Sequence, residues 1–549
     1  MVRRARNYKT KARHPTKGRN TKKMMNSGYS EGGASKSKST LAAYNPIKSS
    51  PQADVDVNLA TLRARSSDLY CNTPIGAAVL NTPRNAVIGA GLKVSPKIDY
   101  EALGLTQEEA KEWQRNTRRE FALWADGVDC DLYRKHNFYD LQDIVYLNYL
   151  IDGDSWAAFK YRRPTAGNPY CLRLQLFEAS RICNPESCSN LSILSYESVL
   201  MTNEANGNTI INGVEVDKDG AVVAYWIANR MPYDLVNTGK QLTWKRVEAF
   251  GRRTGMPNVL QVSHEERPEQ YRGVPYMAPV IEVIKQVCRY ANAELMAAVI
   301  KAYFAIFLTS NDSSTNDIRD ALDAFGDAPS GMTYDEKREI LNGINLDMGS
   351  VNLLPDGVDV KAVDGSRTMS TFEPFTSTLF TQIGAACNVS ADVILNRFQA
   401  SYSASRAALM QAAATFKTRR TWFVRDFCQP VYEAWLAEAI AIGRIKAPGY
   451  GSDPKITKAW SRAEWFGPTM GLLDPVKEIT AAAMKRKYGF STGEREAAEI
   501  SGTDYDDNIA QLASEAVTWQ SHGMDVPQVD NAGGDKGGEK NGEKVLGNQ

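Results

Sequence analysis

From Val55 to Ile88 apolar residues recur at helical spacing, at Leu62, Leu69, Ile75 and Val79, and Thr73-Pro74 and Thr82-Pro83 interrupt them. This predicts short consecutive helices, ended by Gly89-Ala90-Gly91 and followed by a strand from Leu92 to Ser95. Glu108 to Trp124 reads as an amphipathic helix opened by Thr106 as N-cap, carrying Trp113, Phe121 and Trp124 inward. A second helix is predicted from about Asn137 to Ile151, stopping at Asp152-Gly153. The period then changes to two. Ser155 to Arg162, Leu172 to Phe177, Ile210 to Val216 and Ala221 to Ile227 read as strands, the last two joined by a hairpin turn across Asp217 to Gly220.

The second half is mostly helical in pattern. Pro275 to Phe307 repeats Val280, Ile284, Cys288, Ala291, Leu295 and Val299 and is apolar over much of its circumference, so it should pack against other helices along most of its length. A polar stretch and two strand-like runs, Val351 to Leu354 and Val358 to Val363, come next around the Pro355-Asp356-Gly357 turn. Helix resumes from about Phe375 to Cys387, a loop runs from Asn388 to Ser401, and the longest helical pattern spans roughly Ala404 to Ile442. Two further helices open at Asp474-Pro475 and at Thr492. The fold class is α+β.

Composition adds the ends. Residues 1–52 are basic and rich in Gly, Ser, Thr and Asn, with almost no large apolar residues between Met25 and Leu41, and the tail after Met524 is Gly, Asp, Asn and Lys; both read as disordered. Residues 1–50 hold thirteen Lys or Arg against the single Glu31, while the whole chain is only +1, so the folded body is mildly acidic. A body of that sign does not suit static duplex-DNA binding through a broad phosphate-neutralising face. The eight scattered cysteines fit a reducing cytoplasm, and the richest apolar run, Ala302 to Leu308, is far too short for a membrane span.

The chain carries no recognisable catalytic or cofactor-binding motif, so no cofactor is expected. Gly326 to Thr333 has the glycine spacing of a phosphate loop but Met332 where the phosphate-contacting Lys must stand. His14, His136, His264 and His522 lie far apart, and Cys183 and Cys188 have no second pair at metal-finger spacing. Asp356 and Asp359-Val360-Lys361 are too close together to be separate metal-holding strands. Arg419-Arg420 and Lys485-Arg486-Lys487 read as solvated helix faces.

The order of segments resembles the lambda-type portal proteins of tailed bacteriophages, over about residues 55 to 517. The marks are Thr73-Pro74 through Val87-Ile88-Gly89-Ala90-Gly91-Leu92, Trp124-Ala125 with Cys130-Asp131, Asp152-Gly153-Asp154, and Leu174 to Glu178. They continue with Arg267 to Pro275, similar to the family's Arg-Gly-Val-Pro lead-in to its long helix, and with Leu354-Pro355-Asp356-Gly357. In the last of these Asp and Gly replace the expected Gly and Glu. The seventh mark is Ser401-Tyr402-Ser403-Ala404-Ser405-Arg406, which resembles the family's Tyr-Ser-Ser-x-Arg segment with Ala for one Ser.

The resemblance implies a ring, a dodecamer, at one capsid vertex, with an α+β wing around a helical stem, a small α/β clip and a helical crown. Mapped onto the pattern, residues 53–274 and 402–473 are wing, 275–302 and 365–387 the stem helices, 303–364 the clip, 388–401 the tunnel loop and 474–523 the crown. Leu295, Ala298 and Val299 are expected in stem packing, and Asn396, Arg397, Phe398 and Gln399 at the channel. The implied partners are the terminase large subunit, the major capsid protein and scaffold, head-completion and tail connector proteins, and duplex DNA in transit; no membrane is involved. Such a ring is assembled in the host bacterial cytoplasm and ends in the virion. The alternatives are a static nucleic-acid-binding protein acting through the basic arm, and an ATP- or metal-dependent enzyme such as the packaging motor.

Overall fold

The computed structural model describes residues 33–35, 38–165, 167–185, 199–232, 241–303, 307–310, 358–361, 369–398, 401–469 and 475–524. The chain divides into two units, 1–50 and 51–549. In the first, the described residues make a turn, in which Leu41 and Ala42 donate their backbone N–H to the Lys38 carbonyl. The rest of the basic arm, the tail after Met524, and the Gly326 to Thr333 loop lie outside the described residues.

The second unit opens with α1 (Val57–Asn72) and α2 (Pro74–Val87). They break where Thr73-Pro74 predicts, and the Thr73 hydroxyl accepts from Gly76 N. The expected second break does not occur: α2 runs through Pro83, which is buried. Burial of the ring against the core outweighs the one helical hydrogen bond that proline cannot donate. Then come β1 (Lys93–Pro96), the short α3 (Tyr100–Leu103), α4 (Gln107–Ala125) and α5 (Phe138–Asp152). Thr106 and Glu109 close a capping box on α4, and α5 starts at an Asn137 cap and ends on left-handed Gly153, as the sequence predicts.

Strands β2 (Asp154–Tyr161), β3 (Leu172–Phe177) and β9 (Val259–Ser263) form an antiparallel sheet in the order β3-β2-β9. Between β3 and β9 lie β4 (Leu200–Thr202), β5 (Thr209–Ile211), β6 (Val214–Val216), β7 (Val222–Ala228) and β8 (Trp244–Glu248), a five-stranded meander. The single strand predicted over Ile210 to Val216 is therefore a hairpin, because Asn212 and Gly213 both adopt positive φ and turn the chain back. The predicted β6–β7 hairpin is present.

Next are α6 (Ile281–Tyr303), β10 (Phe307–Ser310) paired with β11 (Val358–Lys361), α7 (Met369–Ala386) and α8 (Ala391–Leu395). The helix predicted from Pro275 to Phe307 is shorter, preceded by a single turn at Ala278–Val280 and followed by a strand. Helix α7 starts earlier than Phe375 and includes Pro374. The long pattern is continuous: α9 (Tyr402–Phe423), a π-helical turn Val424–Cys428, and α10 (Gln429–Ala441). Finally come α11 (Pro454–Ser461), β12 (Ala463–Phe466) paired with β1, α12 (Pro475–Lys487), α13 (Gly493–Ile500) and α14 (Tyr505–Ser521). No described helix is long and apolar enough to cross a membrane.

Sheet β3-β2-β9 is buried on both faces and separates two cores. One face sends Ala157, Leu172, Leu174, Leu260 and Val262 into the main core, with the rings of Phe121, Trp124, Phe138, Tyr432 and Trp435. The other sends Trp156, Ala158, Phe177 and Val259 against the meander. Alternation along a strand is what allows one sheet to serve both. Strand β1 is fixed from α5, where buried Gln142 accepts from Leu92 N at 2.6 Å and donates to Leu92 O at 3.1 Å.

Candidate functional site

The sequence places its candidate residues on α6, on the turn after α8 and at the start of α9. The first half of α6 is packed: Ile281, Ile284 and Val287 are buried. Its second half is not covered within this chain. Leu295 is 63 % and Val299 39 % exposed, Met296 beside them is also exposed, and Ala298 is half-buried. The expectation of packing along most of the length thus holds, in the single chain, only for the first half. Helix α7 lies against α6, with Phe372 stacked on Tyr290 at 5.4 Å and Phe375 edge-on to it at 5.1 Å.

Residues 388–401 are not the plain loop expected. Ser390 caps α8, and Val389, Val393 and Ile394 are buried in the main core, so apolar residues at 389, 393 and 394 convert half of the segment into a packed helical turn. The exposed part begins at the end of that turn. Asn396 ends α8 in the left-handed conformation, Arg397 donates to Glu373 of α7 at 2.6 Å, and Phe398 is exposed. Gln399 and the Tyr402 side chain lie outside the described residues. Ser403 and Ser405 stand in the first turn of α9, where Ser405 N donates to Ser401 O, and Arg406 faces Glu478 of α12 at 3.8 Å. Arg397 thus comes together with α7, while Arg406 faces α12 instead.

Sequence reasoning missed a buried charge cluster at the base of α6. Asp154, at the start of β2, accepts from Arg272 Nε at 2.7 Å and from Arg63 Nη2 at 2.8 Å, and the indole of Trp156 donates to it as well. Burial alone would raise the Asp154 carboxyl, but Arg272 and Arg63 outweigh it and hold the group below the ordinary carboxylate range. Arg272 also donates to the carbonyls of Ala179, Ile182 and Asn212, which ties β2, the meander and the lead-in to α6 together. Beside it Asp152 is pushed up to about 7, chiefly by burial. Gly153 and Gly273 pass back to back: a Cβ on Gly273 would stand 1.8 Å from the Gly153 carbonyl oxygen.

Other candidates resolve into structure. Arg419 and Arg420 are not solvated: Arg419 lies over the Tyr276 ring at 4.5 Å, and Arg420 donates to the carbonyls of Ala86, Val87 and Pro468. These backbone acceptors offset part of the cost of burying the Arg420 guanidinium, and the burial that remains uncompensated lowers its pKa. His264 stacks on Trp422 at 3.8 Å, and Cys183 accepts from the Trp244 indole. Among the described residues no group of three His, Cys, Asp or Glu could hold a metal ion.

A model of the family described as phage portal protein, lambda family, matches residues 37–420. The chain belongs to that family. Portal protein B of Escherichia phage lambda is 24% identical over 523 residues, covering 91% of this chain and 91% of its own. The portal protein of Escherichia phage N15 is 24% identical over 512 residues, covering 89% of each. Among solved structures, the neck of a native GTA particle computed with C12 symmetry is 11% identical with a TM-score of 0.40, covering 80% of this chain and 92% of that one.

The portal family is structural, and this member is a component of the phage particle. Two of the motifs that carry the resemblance meet in space. Asp154 of the Asp-Gly-Asp segment and Arg272 of the Arg-Gly-Val-Pro segment are the buried pair, and their glycines are the two that pass back to back. The signal was in the sequence as two separate fragments; that they belong to one cluster was not.

Proposed function

We propose that this portal protein forms a closed ring, a dodecamer, at one capsid vertex, and that duplex DNA passes through its channel during packaging and ejection. The membership of the lambda portal family over residues 37–420 carries this reading. The uncovered apolar half of α6 supports it, since Leu295, Met296 and Val299 need a neighbour that a symmetric copy supplies. In this reading residues 53–274 and 402–473 are wing, α6 and α7 the stem, 303–364 the clip and 474–523 the crown. Within 388–401 we assign to the channel only the exposed turn at Asn396, Arg397 and Phe398, because Val389, Val393 and Ile394 serve the core.

The ring docks the terminase large subunit during packaging, then head-completion and tail connector proteins, and is built into the head with the major capsid protein and scaffold in the host cytoplasm. A mildly acidic body suits a conduit, because DNA must slide without the counterion-release affinity that would arrest it. The chain is read as the conduit and not the motor, so purified ring should hydrolyse no ATP. Light scattering of the purified protein should give a closed assembly many times the 60.7 kDa chain. Monomers at all concentrations, with or without capsid proteins, would overturn the ring.

A further inference from the structure

Among the described residues, helices α12 to α14 are attached to the body chiefly by charge. None of their described residues belongs to the main core, to the core under the meander or to the small cluster of Ile98, Ala110 and Trp460, and among them only Ala482 and Glu496 are buried. Val476, Ile479, Met484, Ile509, Leu512 and Val517 are exposed. Charge joins these helices to the body. Lys97 pairs with Glu494, Lys111 with Asp506, Lys417 with Glu499 and Arg406 with Glu478, and Arg118 pairs with both Asp504 and Asp507. In these six pairs the cation belongs to the body and the acid to the helices.

Asp504 is the centre of the seam and does two jobs with its two oxygens. Oδ1 accepts from the backbone N–H of Asp506 and Asp507 and so caps α14. Oδ2 accepts from the Ser95 hydroxyl at 2.9 Å and from Arg118 at 2.8 Å, fixing that cap to β1 and α4. The remaining pairs are largely solvent-exposed, and such pairs contribute little each and are screened by salt.

We propose that α12 to α14 are a releasable unit, latched to the body by this ion-pair seam and free to leave it while the two cores stay folded. The ion pairs all lie within one chain, so the latch does not depend on the ring or channel reading. It makes the C-terminal helices the part of the molecule whose position responds to ionic conditions, with the Arg118–Asp504 contact as the catch.

The test is hydrogen–deuterium exchange on the full-length protein between about 0.05 and 1 M sodium chloride, a range that shortens the screening length from more than 10 Å to about 3 Å. Isolated helices of this length are marginal in water, so release should register as exchange. Amides of α13 and α14 should exchange several-fold faster at high salt, and those of β2 and β3 should not change. Docking through apolar contacts would not weaken with neutral salt. Arg118→Ala should reproduce the high-salt pattern at low salt. Protection of α13 and α14 that ignores salt, or a loosening of the whole chain together, would overturn the latch. The wild-type salt series decides the matter by itself if the variant does not fold.

Discussion

Arg272 and Asp154 form an ion pair at 2.7 Å with both side chains wholly inside the protein, 118 residues apart in the chain. Such a pair is costly to desolvate and costlier to break, because removing one partner strands the other charge. Asp154→Ala leaves two guanidiniums, Arg272 and Arg63, facing each other without their shared carboxylate. The expected loss is about 3–5 kcal/mol in chemical denaturation. A loss under about 1 kcal/mol would mean that the cluster relaxes or admits water.

Asp152 and Asp154 should pull stability in opposite directions with pH. Burial holds the Asp152 carboxyl up at about 7, so from about pH 4 to 7 the folded chain keeps a proton that the unfolded chain has released, and this group's contribution falls as pH rises. Asp152→Asn should remove that fall and add about 4 kcal/mol at pH 8. Asp154 is held low instead, so its stabilisation is present above the ordinary carboxylate range and is lost as pH falls below it. Denaturation midpoints of wild type and Asp152→Asn that move in parallel from pH 4 to 8 would refute the Asp152 assignment.

Gly273→Ala puts a methyl group 1.8 Å from the Gly153 carbonyl oxygen, a backbone atom that cannot swing aside. The two segments must part, and Asp154 and Arg272 part with them. The expected outcome is insoluble protein, or soluble protein without a cooperative melting transition. Normal melting of Gly273→Ala would show that the close approach is not required.

Ala298→Asp, on the half of α6 that this chain leaves uncovered, should fold normally and fail to assemble. An unpaired buried charge costs several kcal/mol, and symmetry repeats that cost in every subunit. Circular dichroism should match wild type while light scattering shows monomers. Rings of normal size and stability would place this face of α6 in solvent.

Arg397→Glu replaces the partner of Glu373 with a second acid, on an exposed turn where both side chains are more than half accessible. Stability and ring size should remain near wild type, because an exposed pair contributes only about 0–1 kcal/mol. DNA packaging or retention should change, since one substitution becomes a ring of acids facing phosphates. A variant that packages and retains DNA normally, or that never forms rings, removes Arg397 from the channel.

Local pattern was enough for much of this molecule. Helices α1, α4 and α5 with their caps at Thr106 and Asn137, strands β2 and β3, and the break at Thr73-Pro74 are all readable from spacing and capping chemistry, because each depends on neighbours within a few residues. The family was readable too, from seven fragments in order. Short strands were harder: β8 carries Lys245, Arg246 and Glu248 beside only two apolar residues, β9 is a run of just five residues, and partners hold both as strands.

Only the tertiary structure decided which polar residues are inside. Arg272, which is buried, and Arg420, which is half-buried, look like any surface arginine in the sequence; distant backbone carbonyls, and for Arg272 the carboxylate of Asp154, make their burial tolerable. The same holds for Val393 and Ile394, which turn an apparent loop into part of the core, and for Asp504, whose cap is legible locally but whose hold on Arg118 spans 386 residues. Spacing reports the period of a segment against its own axis. Which remote group desolvates, pairs or covers a side chain is set by the packing of segments that the chain brings together only after folding.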